Sequence, residues 1–187
     1  MRTGIEDGRG IRWVRLDGLH LTLRFLGPTA PDRVEQVADA VREAAEAQAA
    51  IPLELAGAGA FPPRGRPRTL WFGLAEGADP LAALADRLDE ALERRGWDRE
   101  RRPFRAHVTI ARTDGARSGA AAAAALRAAA TNLRVTSLVD RVVLFESLTG
   151  GGPARYVPLA EAGLGTSGSV AAPRAVAAPT VGKTPAG

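Results

Sequence analysis

The stretch that decides the fold is Leu-His-Leu-Thr-Leu at residues 19–23, which returns as Ala-His-Val-Thr-Ile at residues 106–110. His20 and His107 are the only histidines of the chain, and each is followed two residues later by a threonine. With twelve threonines in 187 residues, both histidines would meet this spacing by chance in roughly 0.4% of such sequences. The two stretches therefore indicate an internal repeat.

Alternation along a β-strand gives each copy of the repeat a polar face. His20 and Thr22 would share one face, while the leucines around them anchor the strand in a core. His107 and Thr109 would repeat this arrangement, with aliphatic residues behind them. Two such strands facing each other would present two imidazoles and two hydroxyls to a shared cleft.

Two imidazoles suit a reaction that removes a proton on one side and delivers a proton on the other near neutral pH. A cyclic phosphodiester fits, because attacking water must lose a proton while the departing ribose oxygen gains one. Thr22 and Thr109 are placed to hydrogen-bond the non-bridging phosphate oxygens, where charge concentrates in the transition state. Cysteine is absent and neither motif supplies carboxylates at ligand spacing, so we expect a site without a metal or other cofactor.

The composition limits the class of protein. A chain of 187 residues, 45% of them hydrophobic, suits one domain of ordinary size or two small lobes with a shared core. The net charge of +4 is carried almost wholly by arginine, since Lys183 is the only lysine. Arginine favours a phosphate-bearing partner, although genomic base bias would explain the same composition. No apolar run is long enough to span a membrane, and we expect a cytoplasmic protein without membrane contact.

Periodicity and turn residues predict the order of elements. We expect an irregular leader at residues 1–10, one domain of two lobes at residues 11–162 and a disordered tail at residues 163–187. The predicted helices begin near residues 31 and 81 and at residue 118. The predicted strands are 11–16, 19–26, 51–55, 69–74, 104–111, 134–138, 141–147 and 155–160.

Residues 57–68 form a predicted loop that is rich in Gly, Pro and Arg. Its three arginines, Arg64, Arg66 and Arg68, would be either an RNA-facing basic edge or part of a solvated loop. Large aromatic side chains are expected in the core, although a ring at the cleft could stack on a base. The aromatic residues expected in the core are Trp13, Trp71 and Phe72.

The repeat also predicts a missing piece. Each motif is followed by the same predicted order of motif strand, helix, strand and strand, but only the second motif is preceded by a further strand, near Leu70, and a helix. By symmetry, the equivalent strand of the first lobe would start about 17 residues upstream of Met1. We therefore expect the natural product to carry further N-terminal residues, and lobe one of this chain to lack a strand and a helix.

The paired motifs His-Leu-Thr-Leu and His-Val-Thr-Ile resemble those of the two-histidine (2H) phosphoesterase superfamily. Longer stretches are similar to its bacterial RNA 2′,3′-cyclic phosphodiesterase branch, also called 2′-5′ RNA ligase, over about residues 11–162. Ala106 stands where proline often precedes the second histidine of that family. The similar stretches are RWVR at 12–15, LHLTLRFLG at 19–27, LWFG at 70–73 and FRAHVTIAR at 104–112.

The resemblance implies an α+β fold of two lobes, with two antiparallel sheets lining a cleft and helices outside. It implies metal-independent hydrolysis of RNA 2′,3′-cyclic phosphates to 2′-phosphomonoesters, together with the joining of RNA ends through a 2′-5′ linkage. His20 would be the general acid and His107 the base, while Arg112 would contact phosphate or form a surface salt bridge. The implied partner is RNA with 2′,3′-cyclic phosphate ends, such as tRNA halves, bound by a monomer.

Two other functions stay open at this point. The chain could be a 2H phosphodiesterase that acts on a small cyclic phosphate, such as one derived from ADP-ribose. It could also be a non-catalytic module that binds RNA ends, because the predicted lack of an N-terminal strand would leave a sheet edge unpaired. Two unrelated surface histidines are a poor explanation, since the threonine partner is duplicated.

Overall fold

A computed structural model describes residues 10–115, 117–148 and 155–165 and shows an α+β fold with two antiparallel sheets. This confirms the predicted fold class. The predicted leader except Gly10, and the predicted tail from residue 166 onward, lie outside the described residues. The elements are β1 (Ile11–Trp13), α1 (Val34–Glu46), β2 (Ile51–Phe61), β3 (Thr69–Glu76), α2 (Ala78–Glu93), β4 (Val108–Thr113), α3 (Arg117–Ala129), β5 (Val135–Val139), β6 (Arg141–Leu148) and β7 (Arg155–Gly163).

The large sheet contains five strands in the order β1-β4-β3-β2-β5, and every neighbouring pair is antiparallel. One face of it packs against α3 through a core that includes Leu70, Ile110 and Leu126. Trp71 and Thr109 are paired across β3 and β4 and point to the opposite face, because side chains alternate along a strand. We call this opposite face of the large sheet the open face.

The small sheet pairs β6 with β7 and packs on α1, which packs in turn on α2. Helical spacing predicts one buried face on each helix, and the structure confirms both faces except for Val34, which is half-buried. The predicted faces are Val34, Val37, Ala38, Val41 and Ala45 in α1, and Leu81, Leu84, Leu88 and Leu92 in α2. In α1 the buried residues include Val37, Ala38, Val41 and Ala45, and in α2 they include Leu81, Leu84, Leu88 and Leu92.

The first motif does not form the strand that we predicted at residues 19–26. It makes one isolated antiparallel bridge, between Leu21 and Val108, and Leu19 is 40% exposed instead of anchored in a core. The reason lies in β4, because β1 already occupies the same edge of that strand opposite residues 111–113. Since β4 begins at Val108, it offers the first motif a single position for pairing.

Three other predictions are wrong in their boundaries or in burial. The second motif strand starts at Val108 instead of residue 104, because the backbone before it pairs with no strand. β2 continues to Phe61, since it pairs with β3 along a Gly/Ala stretch whose small side chains carry no alternating pattern. Trp13 is 45% exposed and outside the core, because it lies on a short edge strand.

The folded chain continues past the predicted domain boundary at residue 162. Gly163 ends β7, and Leu164 is buried with its N–H donated to the carbonyl of Asp140. The N–H of Gly165 donates to the carbonyl of Gln48. In the described part of the chain, no helix has the length and apolar character needed to cross a membrane.

Arg24 attaches the first motif to α2 and to the chain that follows α2. Its guanidinium lies 3.4 Å from Asp89 and 3.5 Å from Glu100, and the side chains of Arg24 and Asp89 are only 12% and 11% exposed. It also donates a hydrogen bond to the carbonyl of Asp98. Hydrogen bonds from Arg102 lower the pKa of Glu100 to about 2, so this carboxylate is charged at neutral pH. Arg24 therefore fixes the part of the first motif that backbone pairing with the sheet does not hold.

Replacing Arg24 with alanine leaves the buried Asp89 with only Arg99, 3.6 Å away and 47% exposed, as its counter-ion. We expect Arg24→Ala to lower the free energy of unfolding by about 2 kcal/mol, less than the loss for a buried charge left with no partner. The matched control is Arg42→Ala, which breaks an exposed ion pair with Glu35 and should cost at most about 1 kcal/mol. Urea denaturation followed by circular dichroism measures both losses. Equal losses in the two variants would contradict the anchoring role of Arg24.

Candidate active site

The single bridge between the two motifs brings their polar residues together. Its antiparallel register places His20 across from Thr109, and Thr22 across from His107. The two bridging residues pack toward the core, so alternation puts these four side chains on the same surface. The two histidines are diagonal neighbours in this register, a relation that corresponds to about 7–8 Å between residues. The structure therefore brings all four predicted residues of the motifs to one place.

Each imidazole is oriented by a backbone carbonyl. His20 Nδ1 lies 2.8 Å from the carbonyl oxygen of Gly18, and His107 Nδ1 lies 2.6 Å from that of Arg105. Because a carbonyl oxygen can only accept, Nδ1 is the donor in both rings, and Nε2 is left for a substrate. In both motifs the carbonyl belongs to the residue two positions before the histidine. The internal repeat thus extends to the hydrogen bond that sets the tautomer.

Each imidazole also rests against aromatic rings, and the two sets of rings come from different sheets. His20 meets Tyr156 of β7 edge to face, with ring centroids 4.8 Å apart. His107 meets Phe61 of β2 edge to face at 5.2 Å, and Trp71 of β3 lies 6.2 Å away. Both histidines are half-buried. The candidate site therefore lies between the small sheet and the open face of the large sheet.

Trp71 is positioned by a glycine in the neighbouring strand. Gly59 pairs with Trp71 across β2 and β3, and a Cβ atom on Gly59 would lie 2.2 Å from Cζ2 of the indole. The ring occupies the space that a side chain at residue 59 would need, so only glycine allows this close approach. The indole Nε1 is buried and forms no hydrogen bond with the described residues.

A β-bulge in β4 changes which side chains reach the open face. Ile110 is the extra residue, because the pairing with β3 passes from Thr109 directly to Ala111. Ile110 and Ala111 are both buried, whereas Arg112 is exposed. The bulge shifts the alternation by one residue, so Arg112 lies on the same face as Thr109. Arg112 forms no ion pair with the described residues, which argues against the surface salt bridge as its function.

Sequence reasoning missed the aromatic neighbours of the histidines. Tyr156 is the only tyrosine of the chain, and Phe61 was assigned to a loop. Neither residue stands at a fixed spacing from a motif, because both reach the site through long-range strand pairing. Trp71 was expected in the core, and the structure shows it half-buried beside His107. Within the described ranges, no group of three or more His, Asp and Glu side chains could hold a metal ion.

Comparison with known proteins assigns the chain to a family. A family model described as the 2′-5′ RNA ligase superfamily matches residues 7–151. The RNA 2′,3′-cyclic phosphodiesterase of Aeropyrum pernix is 34% identical over 113 residues, which cover 60% of this chain and 63% of that protein. The protein of the same name from Geobacillus stearothermophilus is 39% identical over 100 residues, 54% of this chain and 32% of that protein. This chain thus spans less than two thirds of either relative.

A solved structure agrees with the fold. The crystal structure of the protein TT0787 of Thermus thermophilus superposes with a TM-score of 0.68 at 25% sequence identity. The superposition covers 86% of this chain and 85% of that chain. The similarity of fold therefore extends over most of both chains.

Gly59→Ala tests the placement of the aromatic wall beside His107. The added Cβ must displace the indole of Trp71, and we expect a loss of about 1–3 kcal/mol in the free energy of unfolding. The imidazole resonances of His107 should shift in long-range ¹H–¹⁵N spectra, while those of His20, which lies against Tyr156, should stay in place.

The matched control is Trp71→Phe in the Gly59→Ala background. The smaller ring removes the atoms that clash, so most of the lost stability should return. Additive losses in the double variant, or a shift of both histidines alike, would contradict this packing.

Proposed function

Because the chain belongs to the 2′-5′ RNA ligase superfamily, we propose that it hydrolyses RNA 2′,3′-cyclic phosphate ends to 2′-phosphomonoesters. The observation that carries this proposal is the bridge between the motifs, which sets two imidazoles on one surface, each with an Nε2 that has no hydrogen-bond partner among the described residues. The relatives from Aeropyrum pernix and Geobacillus stearothermophilus are RNA 2′,3′-cyclic phosphodiesterases by name, which supports the same substrate.

In the proposed reaction the two histidines act on opposite sides of the phosphorus atom. His107 Nε2 takes a proton from water while the water oxygen forms a bond to phosphorus. The bond from phosphorus to the ribose O3′ breaks, and protonated His20 gives its Nε2 proton to O3′. The phosphate stays on O2′, and proton exchange with solvent restores both rings. Acid and base catalysis of this type each contribute roughly 10² to 10⁴ in rate.

Three further side chains serve the phosphate in this proposal. Thr22 and Thr109 each lie across from the histidine of the other motif, so their hydroxyls flank the phosphate from both sides. They donate hydrogen bonds to the non-bridging oxygens, where charge builds up in the transition state. Arg112 adds a positive charge on the same face, and its guanidinium matches the geometry of phosphate oxygens.

The same arrangement supports a wider set of reactions and substrates. A 5′-hydroxyl in place of water would join two RNA ends through a 2′-5′ linkage by the same two proton transfers. Any RNA cut to leave a cyclic phosphate, such as a tRNA half in the cytoplasm, would be a substrate. Both histidines belong to one chain and meet through its own backbone, which supports a monomer as the active species.

Hydrolysis of an oligoribonucleotide with a 2′,3′-cyclic phosphate end, in the presence of EDTA, tests this function. ³¹P NMR should show a 2′-phosphomonoester as the product. We expect His20→Ala and His107→Ala each to lower kcat at least about 100-fold, since each removes one proton-transfer group. Thr22→Val should lower kcat by roughly tenfold through the lost hydrogen bond, whereas the matched control Thr22→Ser keeps the hydroxyl and most of the activity.

The outcomes separate the alternatives. The pH profile of kcat/KM should be bell-shaped, because one imidazole must be neutral and the other protonated. Turnover that persists in both alanine variants would refute the two-histidine mechanism. Loss of turnover in EDTA would refute its metal independence. Turnover of only a small cyclic phosphate derived from ADP-ribose would favour that substrate class, and binding of RNA ends without turnover would favour a non-catalytic module.

A further inference from the structure

The arginines of the described residues differ in whether they have a carboxylate partner. Nine of them lie within 4.0 Å of an Asp or Glu oxygen: Arg15, Arg24, Arg42, Arg94, Arg95, Arg99, Arg102, Arg134 and Arg141. Five others are exposed, have no such partner among the described residues and lie at one end of the large sheet. We call these five the arginine edge: Arg12, Arg64, Arg66, Arg68 and Arg112.

Two members of the arginine edge face each other across neighbouring strands. Arg12 of β1 and Arg112 of β4 are direct partners in the register. Ile11 packs into the core on the α3 side, so Arg12 points to the open face, as Arg112 does. Like charges directly opposite in a sheet destabilise it unless something compensates them. A bound anion between the two guanidiniums would provide that compensation.

The other three members lie in the hairpin loop that joins β2 to β3. This loop is fixed against the end of β4, because the hydroxyl of Thr113 donates to the carbonyl of Pro67. Arg66 and Arg68 both border Gly115, with atoms 3.6 Å from the position that a Cβ would take there. The loop arginines therefore sit at the same end of β4 as Arg112.

The arginine edge begins within reach of the candidate site. A strand rises about 3.3 Å per residue, so Arg112 lies no more than roughly 10 Å along β4 from Thr109. Arg12 is one strand farther, at a spacing of about 4.8 Å. A 2′,3′-cyclic phosphate ends an RNA strand, and the next phosphate of that strand is one nucleoside away. The arginine edge therefore extends away from the candidate site along a path that the preceding nucleotides of the RNA could follow.

We propose that the members of the arginine edge other than Arg112, which serves the cyclic phosphate itself, bind the backbone phosphates that precede it, so that the site prefers an oligoribonucleotide to a cyclic mononucleotide. This inference rests on the proposed function and names its substrate class more closely. Arginine binds phosphate by charge and by its fork of donors, and such contacts position a strand without reading its bases. Binding of this kind weakens with salt, with a slope of about −0.7 in log K per phosphate for single strands.

The test compares the charge-reversed variant Arg12→Glu/Arg66→Glu with the unaltered protein on two substrates. The substrates are a 2′,3′-cyclic mononucleotide and an oligoribonucleotide that ends in a 2′,3′-cyclic phosphate. We expect the variant to raise KM for the oligonucleotide at least about tenfold, and to reduce its salt slope by about 1.4 for two lost phosphate contacts. The effect should be confined to the oligonucleotide.

Arg127→Glu is the matched control. Arg127 is exposed, has no carboxylate partner in the described ranges and lies on α3, which covers the opposite face of the sheet. It should change KM for neither substrate. The neutral variant Arg12→Gln/Arg66→Gln should show a smaller effect in the same direction, which keeps the test valid if charge reversal harms folding. Arg105→Glu tests whether the RNA leaves the site in the other direction. Arg105 lies two residues before His107, is exposed and has no carboxylate partner within the part of the chain that the structure describes.

Three results would overturn the proposal: equal KM for both substrates in the unaltered protein, no change in the Arg12/Arg66 variants, or a loss confined to Arg105→Glu. If neither substrate is hydrolysed, the proposed function fails, and fluorescence anisotropy of a labelled oligonucleotide still tests the edge. Binding that weakens in the Arg12/Arg66 variants and not in Arg127→Glu would support it. Binding that is the same in all variants would overturn it.

Discussion

The candidate site depends on one backbone pairing, between Leu21 and Val108. Each of these residues directly follows a histidine, so the pairing relates the two motifs by a local two-fold axis. That relation places each histidine across from the threonine of the other motif. β4 is held by β3 along one edge and by β1 on the other, so the second motif is a fixed reference to which the first is brought.

A single pairing is too weak to order the first motif alone. A backbone hydrogen bond contributes about 0.5–1.5 kcal/mol, whereas fixing each residue of an extended segment costs about 1–2 kcal/mol in entropy. The difference must come from side chains. Leu21, Leu23 and Leu26 pack against the core beside α1 and α2. Arg24 forms ion pairs with Asp89 of α2 and with Glu100, which follows α2. The position of His20 is therefore set by the core of the helical layer as much as by the sheet.

The sequence was sufficient for the parts of the molecule that follow a local rule. The duplicated His/Thr spacing predicted four residues that the structure brings together, and helical spacing predicted the buried faces of α1 and α2. The sequence was insufficient where the conformation or the contacts of a residue depend on a strand that is far away along the chain. The irregular conformation around His20 follows from where β4 begins, and the contact of Tyr156 with His20 follows from the packing of the small sheet. Arg112 was predicted from a family resemblance. Its position on the open face depends on the β-bulge in β4, which no periodic pattern in the sequence predicts.

The two imidazoles are equivalent in their motifs and in the carbonyls that orient them, so any difference in their function must come from the surroundings. His20 lies against Tyr156 of the small sheet, and His107 lies against rings of the large sheet. The repeat itself also breaks at one position: five residues after the histidine, the second motif has Arg112 and the first has Phe25, which is 72% exposed. In the proposed reaction, an RNA strand across the site would meet on one side the positive charge of Arg112, which has no carboxylate partner among the described residues, and on the other side the apolar side chain of Phe25. This asymmetry around two equivalent imidazoles would give a bound strand a single direction, and each histidine a single role.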